Sequence, residues 1–305
     1  MDGTNVIRPS FVARRRSIDG IRERWRDLGG TGMKKWIAGT AVLGAATVLS
    51  SYSSSGHPTN DTGTATSPAS SAPSSTSAAA VTPAEIASMM QAGVAGVSSA
   101  HLTWETKAGD EVLLAMQGNE RLSAGKVIAM DLKETLAGDV IRMLVVDGRA
   151  YVNVVSGPDA TGTTWILASP TSKNPMLKSL AGSIASAQQS GAADAYGVFV
   201  LAARSAKKVG TEQIAGQPTT RYTVTVDMRK VHSPLITTEM RQAMAEAGIS
   251  TIPLVIWLDD HGRPLKVVDV IAADGQRATN TVTLTKYNEP VTITAPPAAD
   301  VVTTE

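Results

Sequence analysis

Hydrophobic and polar positions along this chain change period several times, and each change marks an element. The first periodic stretch opens at Thr82-Pro83-Ala84-Glu85, a capping box with proline at the first helical position. Ile86, Met89, Met90, Val94 and Val97 follow at helical spacing and predict a helix. The period then falls to two. Strands are predicted near 100–108, 111–118, 125–133, 140–147, 149–156 and 163–168, with turns such as Lys107-Ala108-Gly109-Asp110 and Val146-Asp147-Gly148-Arg149 between them. A helical insert follows, capped by Asn174 with Pro175 behind it and striped by Met176, Leu177, Leu180 and Ile184. A second helical piece, about 191–203, carries Tyr196, Phe199 and Val200. Strands resume at about 206–214 and 218–228. A helix at about 237–247 has Met240, Ala243, Met244 and Ala247 on one face and Gly248 at its end. The last strands are predicted at about 252–259, 264–272 and 277–288, with a short one at 291–294.

About 11–12 strands joined mostly by tight turns make an antiparallel meander, and the two helix-bearing inserts do not fit a βαβ rhythm. The predicted class is α+β: one strongly curved sheet with about three helices on one side. Two strands carry further information. Val140-Ile141-Arg142-Met143-Leu144-Val145-Val146 and Leu254-Val255-Ile256-Trp257-Leu258 are apolar at both parities, whereas 221–228 is apolar at only one. A sheet with one wet face alternates throughout, so these strands need cover on both faces. Either loops or the curl of the sheet bury them, or the concave face is partly filled and leaves an apolar hollow. Nine methionines lie between Met89 and Met244, while Phe199 is the one phenylalanine of this region. Flexible thioethers suit an adaptable apolar site, although they also fill gaps in ordinary cores.

The N-terminal third reads differently. Residues 1–32 form a basic extension with six arginines between Arg14 and Arg26, and are excluded if Met33 is the true start. Met33-Lys34-Lys35 is a short basic region, and Trp36 to Leu49 is an uncharged apolar stretch. Residues 33–52 are therefore read as a signal peptide or membrane anchor. As a helix the uncharged span from Trp36 to Tyr52 reaches about 26 Å, somewhat short of a hydrocarbon core of about 30 Å. It ends in Leu49-Ser50-Ser51-Tyr52, where a lipoprotein precursor carries its lipidated cysteine, yet the chain has no cysteine. A phenol cannot accept the thioether-linked lipid. Residues 53–81, rich in Ser, Thr, Ala and Pro, cannot bury enough surface to offset their chain entropy and are read as a disordered tether. That leaves 82–305 as one domain in an extracytoplasmic setting, either secreted or associated with the cell envelope.

Net charge is +1 and aromatics are 4 per cent, with no aromatic-basic interleaving, so nucleic acid is not expected as a partner. Enzyme chemistry finds no footing either. His57, His101, His232 and His261 are scattered, and no nucleophile elbow, zinc-binding helix or phosphate loop occurs. Asp259-Asp260 beside His261-Gly262 reads as turn chemistry rather than a metal pair, and Asp227 as a strand end. No cofactor is expected.

Three stretches carry a family resemblance. Gly210-Thr211-Glu212-Gln213-Ile214-Ala215-Gly216-Gln217-Pro218-Thr219-Thr220-Arg221-Tyr222 resembles a strand pair of actinobacterial lipoproteins of the LppX/LprG type. Ile256-Trp257-Leu258-Asp259-Asp260-His261-Gly262-Arg263 resembles a hairpin of theirs, and Tyr287-Asn288-Glu289-Pro290 through Pro297 resembles their closing strand. The departure is Tyr52 in the lipobox. The resemblance implies an antiparallel half-barrel with helices over its concave face, as in the LolA and LolB carriers. It implies lipid or lipoglycan acyl chains, a membrane surface and an envelope export protein as partners, and no catalysis. An envelope sensing or protein-interaction domain of the same architecture is the alternative function. The expected lipid-binding positions are Met176, Leu177, Leu180, Ile184, Met240 and Met244 on the helices, facing Ile128, Met130, Val224 and Val226 on strands.

Overall fold

The computed structural model describes residues 81–136, 139–155, 164–173, 177–178, 181–182, 192–232, 236, 238–273 and 276–303. The signal-like segment and the tether lie outside the described residues. Helix α1 spans Pro83–Val94 with its capping box formed: Thr82 accepts from the Glu85 backbone, and the Glu85 carboxylate accepts from Thr82 N at 2.7 Å. Six strands follow: β1 Ser99–Ala108, β2 Glu111–Ser123, β3 Lys126–Leu136, β4 Asp139–Val146, β5 Arg149–Val155 and β6 Trp165–Ala168. Helix α2 (Ala192–Leu201) leads into β7 Ala203–Ile214 and β8 Gln217–Asp227. After α3 (Thr238–Glu246) come β9 Thr251–Leu258, β10 Pro264–Ala273, β11 Gln276–Thr285 and the short β12 Val301–Thr303.

All twelve strands join one curved sheet in the order β12-β6-β5-β4-β3-β2-β1-β11-β10-β9-β8-β7, antiparallel except where β12 runs parallel to β6. The α+β class and the strand count agree with the pattern in the sequence. One element differs. Residues 291–294 form no strand, and the closing strand is β12 instead. Val291 and Ile293 alternate as a strand would, but they use their apolar side chains to cover the sheet rather than to extend it.

That cover explains the two-faced strands. The even positions of β1 and β2 and the odd positions of β4 turn toward the helices, joining one large core that includes Ile86 and Met90 of α1, Phe199 and Val200 of α2, and Met244 of α3. Leu144 and Val146 turn the other way and pack with Tyr151, Trp165 and Ile293 in a second, smaller core. Strand β4 thus joins the large core on its inner face and is covered by the C-terminal segment on its outer face. Trp257, outward on β9, is covered differently: its indole N–H donates to Glu212 and Lys266 lies 5.1 Å over its ring. Strand β8 has no such outer cover and alternates, with Tyr222, Val224 and Val226 buried and Thr223 exposed.

Two close approaches hold the elements together. Gly93 of α1 lies against the β9–β10 turn, where Gly262 has φ +81 and a Cβ on it would overlap the Met89 carbonyl. The helix therefore rests on backbone, which only glycine permits on both sides. Tyr287 reinforces the same corner by donating to the Pro264 carbonyl while the Arg263 guanidinium sits 5.0 Å over its ring.

Candidate functional site

The helix-facing side of the sheet is apolar across nearly its whole width, yet its cover is uneven. On β8, β9 and β10 the inward residues are sealed: Val226, Leu254, Ile256 and Val267 are at most 1% exposed. On β2, β4 and β6 the inward Leu114, Ile141, Met143 and Ile166 pack against the core but remain half-buried. Met116 and Met130, inward on β2 and β3, adjoin them, so three thioethers floor this half of the sheet. Leu177 and Ala181 belong to the same core.

The expected lipid-binding residues divide into three groups. Met130, Leu177, Val224, Val226 and Met244 share the helix-side core. Ile128 does not join them and is 41% exposed. Arg121 pairs with Ala129 and Leu122 with Val127, so Ile128 is the extra residue of a bulge, which breaks the alternation linking it to Met130. Met176, Leu180 and Ile184 lie outside the described residues, as does the side chain of Met240.

Polar side chains interrupt this inner face, and the sequence reading passed over them. Glu134 lies in register between Met116 and Ile141. Glu120 lies between Ala100 and Met130, is 1% exposed, and has one carboxyl oxygen without a hydrogen-bond partner. Burial pushes the Glu120 carboxyl up to about 8 and also raises that of Glu134. Asp269 faces in from β10, where burial against a single amide donor lifts its carboxyl to about 7. Its partner Asn280 donates at 2.8 Å and in turn accepts from Thr106 at 2.7 Å. The indole N–H of Trp104 is buried with no acceptor among the described residues. A simple signal could have found these acids: a carboxylate on the apolar parity of its strand, as in Met130-x-Leu132-x-Glu134 and Val267-x-Asp269-x-Ile271.

Other charged groups are satisfied locally. Asp259 is buried and accepts from the His261 and Arg263 backbone and from Arg263 Nε at 2.7 Å. Asp259, Asp260 and His261 bring ligand atoms within 4.8 Å of one another, but the turn occupies the Asp259 oxygens, as the sequence pattern indicates. Arg229 and Arg204 hold the Asp227 carboxyl well below the usual carboxylate range. A cavity of about 450 Å³ opens on the opposite, outer face, among Thr103, Glu105, Gln117, Lys133, Thr281 and Thr283. Trp104, Ala115 and Met116 also line it, so its walls mix polar and apolar groups. Among the described residues no helix is long and apolar enough to cross a membrane.

No family model and no curated protein matches the chain. Among solved structures, LprF from Mycobacterium bovis is similar at 15% identity and a TM-score of 0.47, over 70% of this chain and 96% of that one. The lipoprotein LppX of Mycobacterium tuberculosis is similar at 17% identity and a TM-score of 0.45, over 70% of this chain and 98% of that one. A LolA superfamily protein from Nitrosomonas europaea follows at 11% identity and a TM-score of 0.23, over 69% and 96% of the two chains.

Proposed function

We propose that this protein is a non-catalytic cell-envelope carrier that takes up acyl chains against the helix-facing side of its sheet. One observation supports the reading above others: the inner face is sealed over β8 to β10 but only half-covered at Leu114, Ile141, Met143 and Ile166. An acyl chain lying there completes the cover. Each methylene withdrawn from water contributes about 0.8 kcal/mol, so one long chain supplies ample affinity without a charged contact. The flexible thioethers of Met116, Met130 and Met143 accommodate chains of differing shape.

The N-terminal pattern gives such a carrier its place. A basic and apolar leader at 33–52 directs export, and 53–81 tethers the domain at 82–305 away from the membrane. With tyrosine at position 52, retention at the membrane rests on the apolar segment itself rather than on a lipid anchor.

Glutamine substitutions separate uptake from packing. Met143→Gln, at a half-covered position, should weaken binding of a fluorescent acyl probe with a neutral headgroup about tenfold while thermal stability changes little. Val226→Gln, at a sealed position, should bury an unpaired amide and cost a few kcal/mol of stability. Unaltered uptake in the Met143 variant would remove the carrier reading and leave an envelope sensing or protein-interaction domain.

A further inference from the structure

From β8 across to β6 the inner face is acidic, and the inward Tyr222 of β8 pairs with the exposed Lys208 on the edge strand β7. Inward positions there hold Glu120, Glu134 and Asp269, while among the described residues no lysine, arginine or histidine faces in from these strands. The helices do not supply the missing charge: Arg241 of α3 donates to the Val231 carbonyl, and Lys178 is exposed. At the α1 corner, where Glu120 lies near Tyr287, Arg263 is already committed to Asp259. A carboxylate taken out of water without a counter-charge is strongly disfavoured, so it either holds its proton or awaits a cation.

The three acids differ in access. Glu120 and Asp269 are sealed, at 1% and 4% exposed, and Asp269 is tied into the Asn280–Thr106 chain. Glu134 keeps partial exposure on the half-covered strip, has no hydrogen-bond or ion-pair partner among the described residues, and is flanked in register by Met116 and Ile141. Across Met116 in the same row stands Trp104, only 5% exposed, its indole N–H without an acceptor among those residues. Two strand spacings of about 4.8 Å separate the backbones of Trp104 and Glu134, and both side chains turn to the helix-facing side, above the same methionine. Register thus sets an unpartnered carboxyl and a buried, unpartnered N–H in one row, with Met116 between them.

Resting on the acyl-chain reading, we propose that the ligand is a cationic amphiphile, an acyl lipid whose headgroup bears an ammonium group that pairs with Glu134. Its chain runs over Ile141, Met143 and Ile166, and an oxygen of the headgroup accepts from Trp104 Nε1. A phosphate or carboxylate headgroup finds no cation on that strip among the described residues and meets the Glu134 carboxyl instead. A bare hydroxyl satisfies Trp104 but leaves Glu134 to keep its proton.

Three probes with one chain length and different headgroups test this on the full protein: dodecylamine, dodecanol and dodecanoate, titrated near neutral pH below micelle-forming concentrations. Dodecylamine should bind about tenfold or more tightly than dodecanol, and dodecanoate most weakly. Glu134→Gln should reduce dodecylamine to the level of dodecanol while dodecanol binding stays unchanged. Equal affinities, preference for dodecanoate, or an amine preference that survives Glu134→Gln would overturn the ammonium site and leave the acyl-chain reading intact. Binding of none of the three would remove both.

Discussion

Alanine at position 118 should cost this protein its fold. Gly118 is inward on β2, in register with Leu102 and Leu132. A Cβ placed on it would overlap the Asp131 carbonyl oxygen and stand 2.8 Å from Leu132 Cα. Both obstacles are backbone, so no rotamer change relieves them; β2 and β3 would have to separate there. We expect Gly118→Ala to lose about 3 kcal/mol or more, or to yield no folded protein. Gly210→Ala on the edge strand β7 is the matched control, because a Cβ placed there meets nothing within 4 Å. That variant should change stability by no more than about 0.5 kcal/mol in denaturant unfolding. Similar midpoints for the two variants would mean that β2 and β3 can separate at Gly118 at little cost.

The second large effect is a stability that falls as pH rises above the acid range. Glu120 is held at about 8 against an ordinary 4.5, and Asp269 at about 7 against 3.8. The native protein therefore keeps protons that the unfolded chain has released, and its stability declines between those limits. Each fully differing group contributes on the order of 1.4 kcal/mol per pH unit, so the decline amounts to several kcal/mol by about pH 8. Asp227 works in the opposite sense. Its arginine partners depress its carboxyl, so its contribution is present above the ordinary carboxylate range and is lost as pH falls through it. Maximum stability should lie near pH 4, and Glu120→Gln should reduce the decline above it, measured by thermal unfolding. A wild-type melting temperature that is flat or rising from about pH 5 to 8 would contradict this ionisation scheme.

The architecture was legible because most of its signals are local. The capping box at Thr82 and the glycine turns at Gly109, Gly148, Gly216 and Gly262 punctuate strands whose alternation is plain. Errors arose where position depends on a partner distant in sequence. Nothing near Val291 and Ile293 reveals that they roof Leu144 and Val146 rather than pair as a strand. The bulge at Ile128 is similarly invisible, since it emerges only in the register between β2 and β3. The candidate site was half legible. Alternation groups Val224 and Val226 on one apolar face of β8, but which face is inward, and which of its residues are sealed, depends on where the helices settle. The inner acids were overlooked because Glu120 and Glu134 stand among other polar residues, in Asn119-Glu120-Arg121 and Lys133-Glu134-Thr135. Their neighbours suggest a wet strand face, whereas register places both on the helix-facing side of the sheet.

The central claim, that the half-covered inner face takes up an acyl chain, is tested most directly by native mass spectrometry of the protein purified from a bacterial host without detergent. A carrier should show a second species heavier by the mass of one lipid, released as that lipid on denaturation, and Met143→Gln should diminish it. The bare polypeptide mass alone, with no adduct after incubation with extracted envelope lipid, would contradict it.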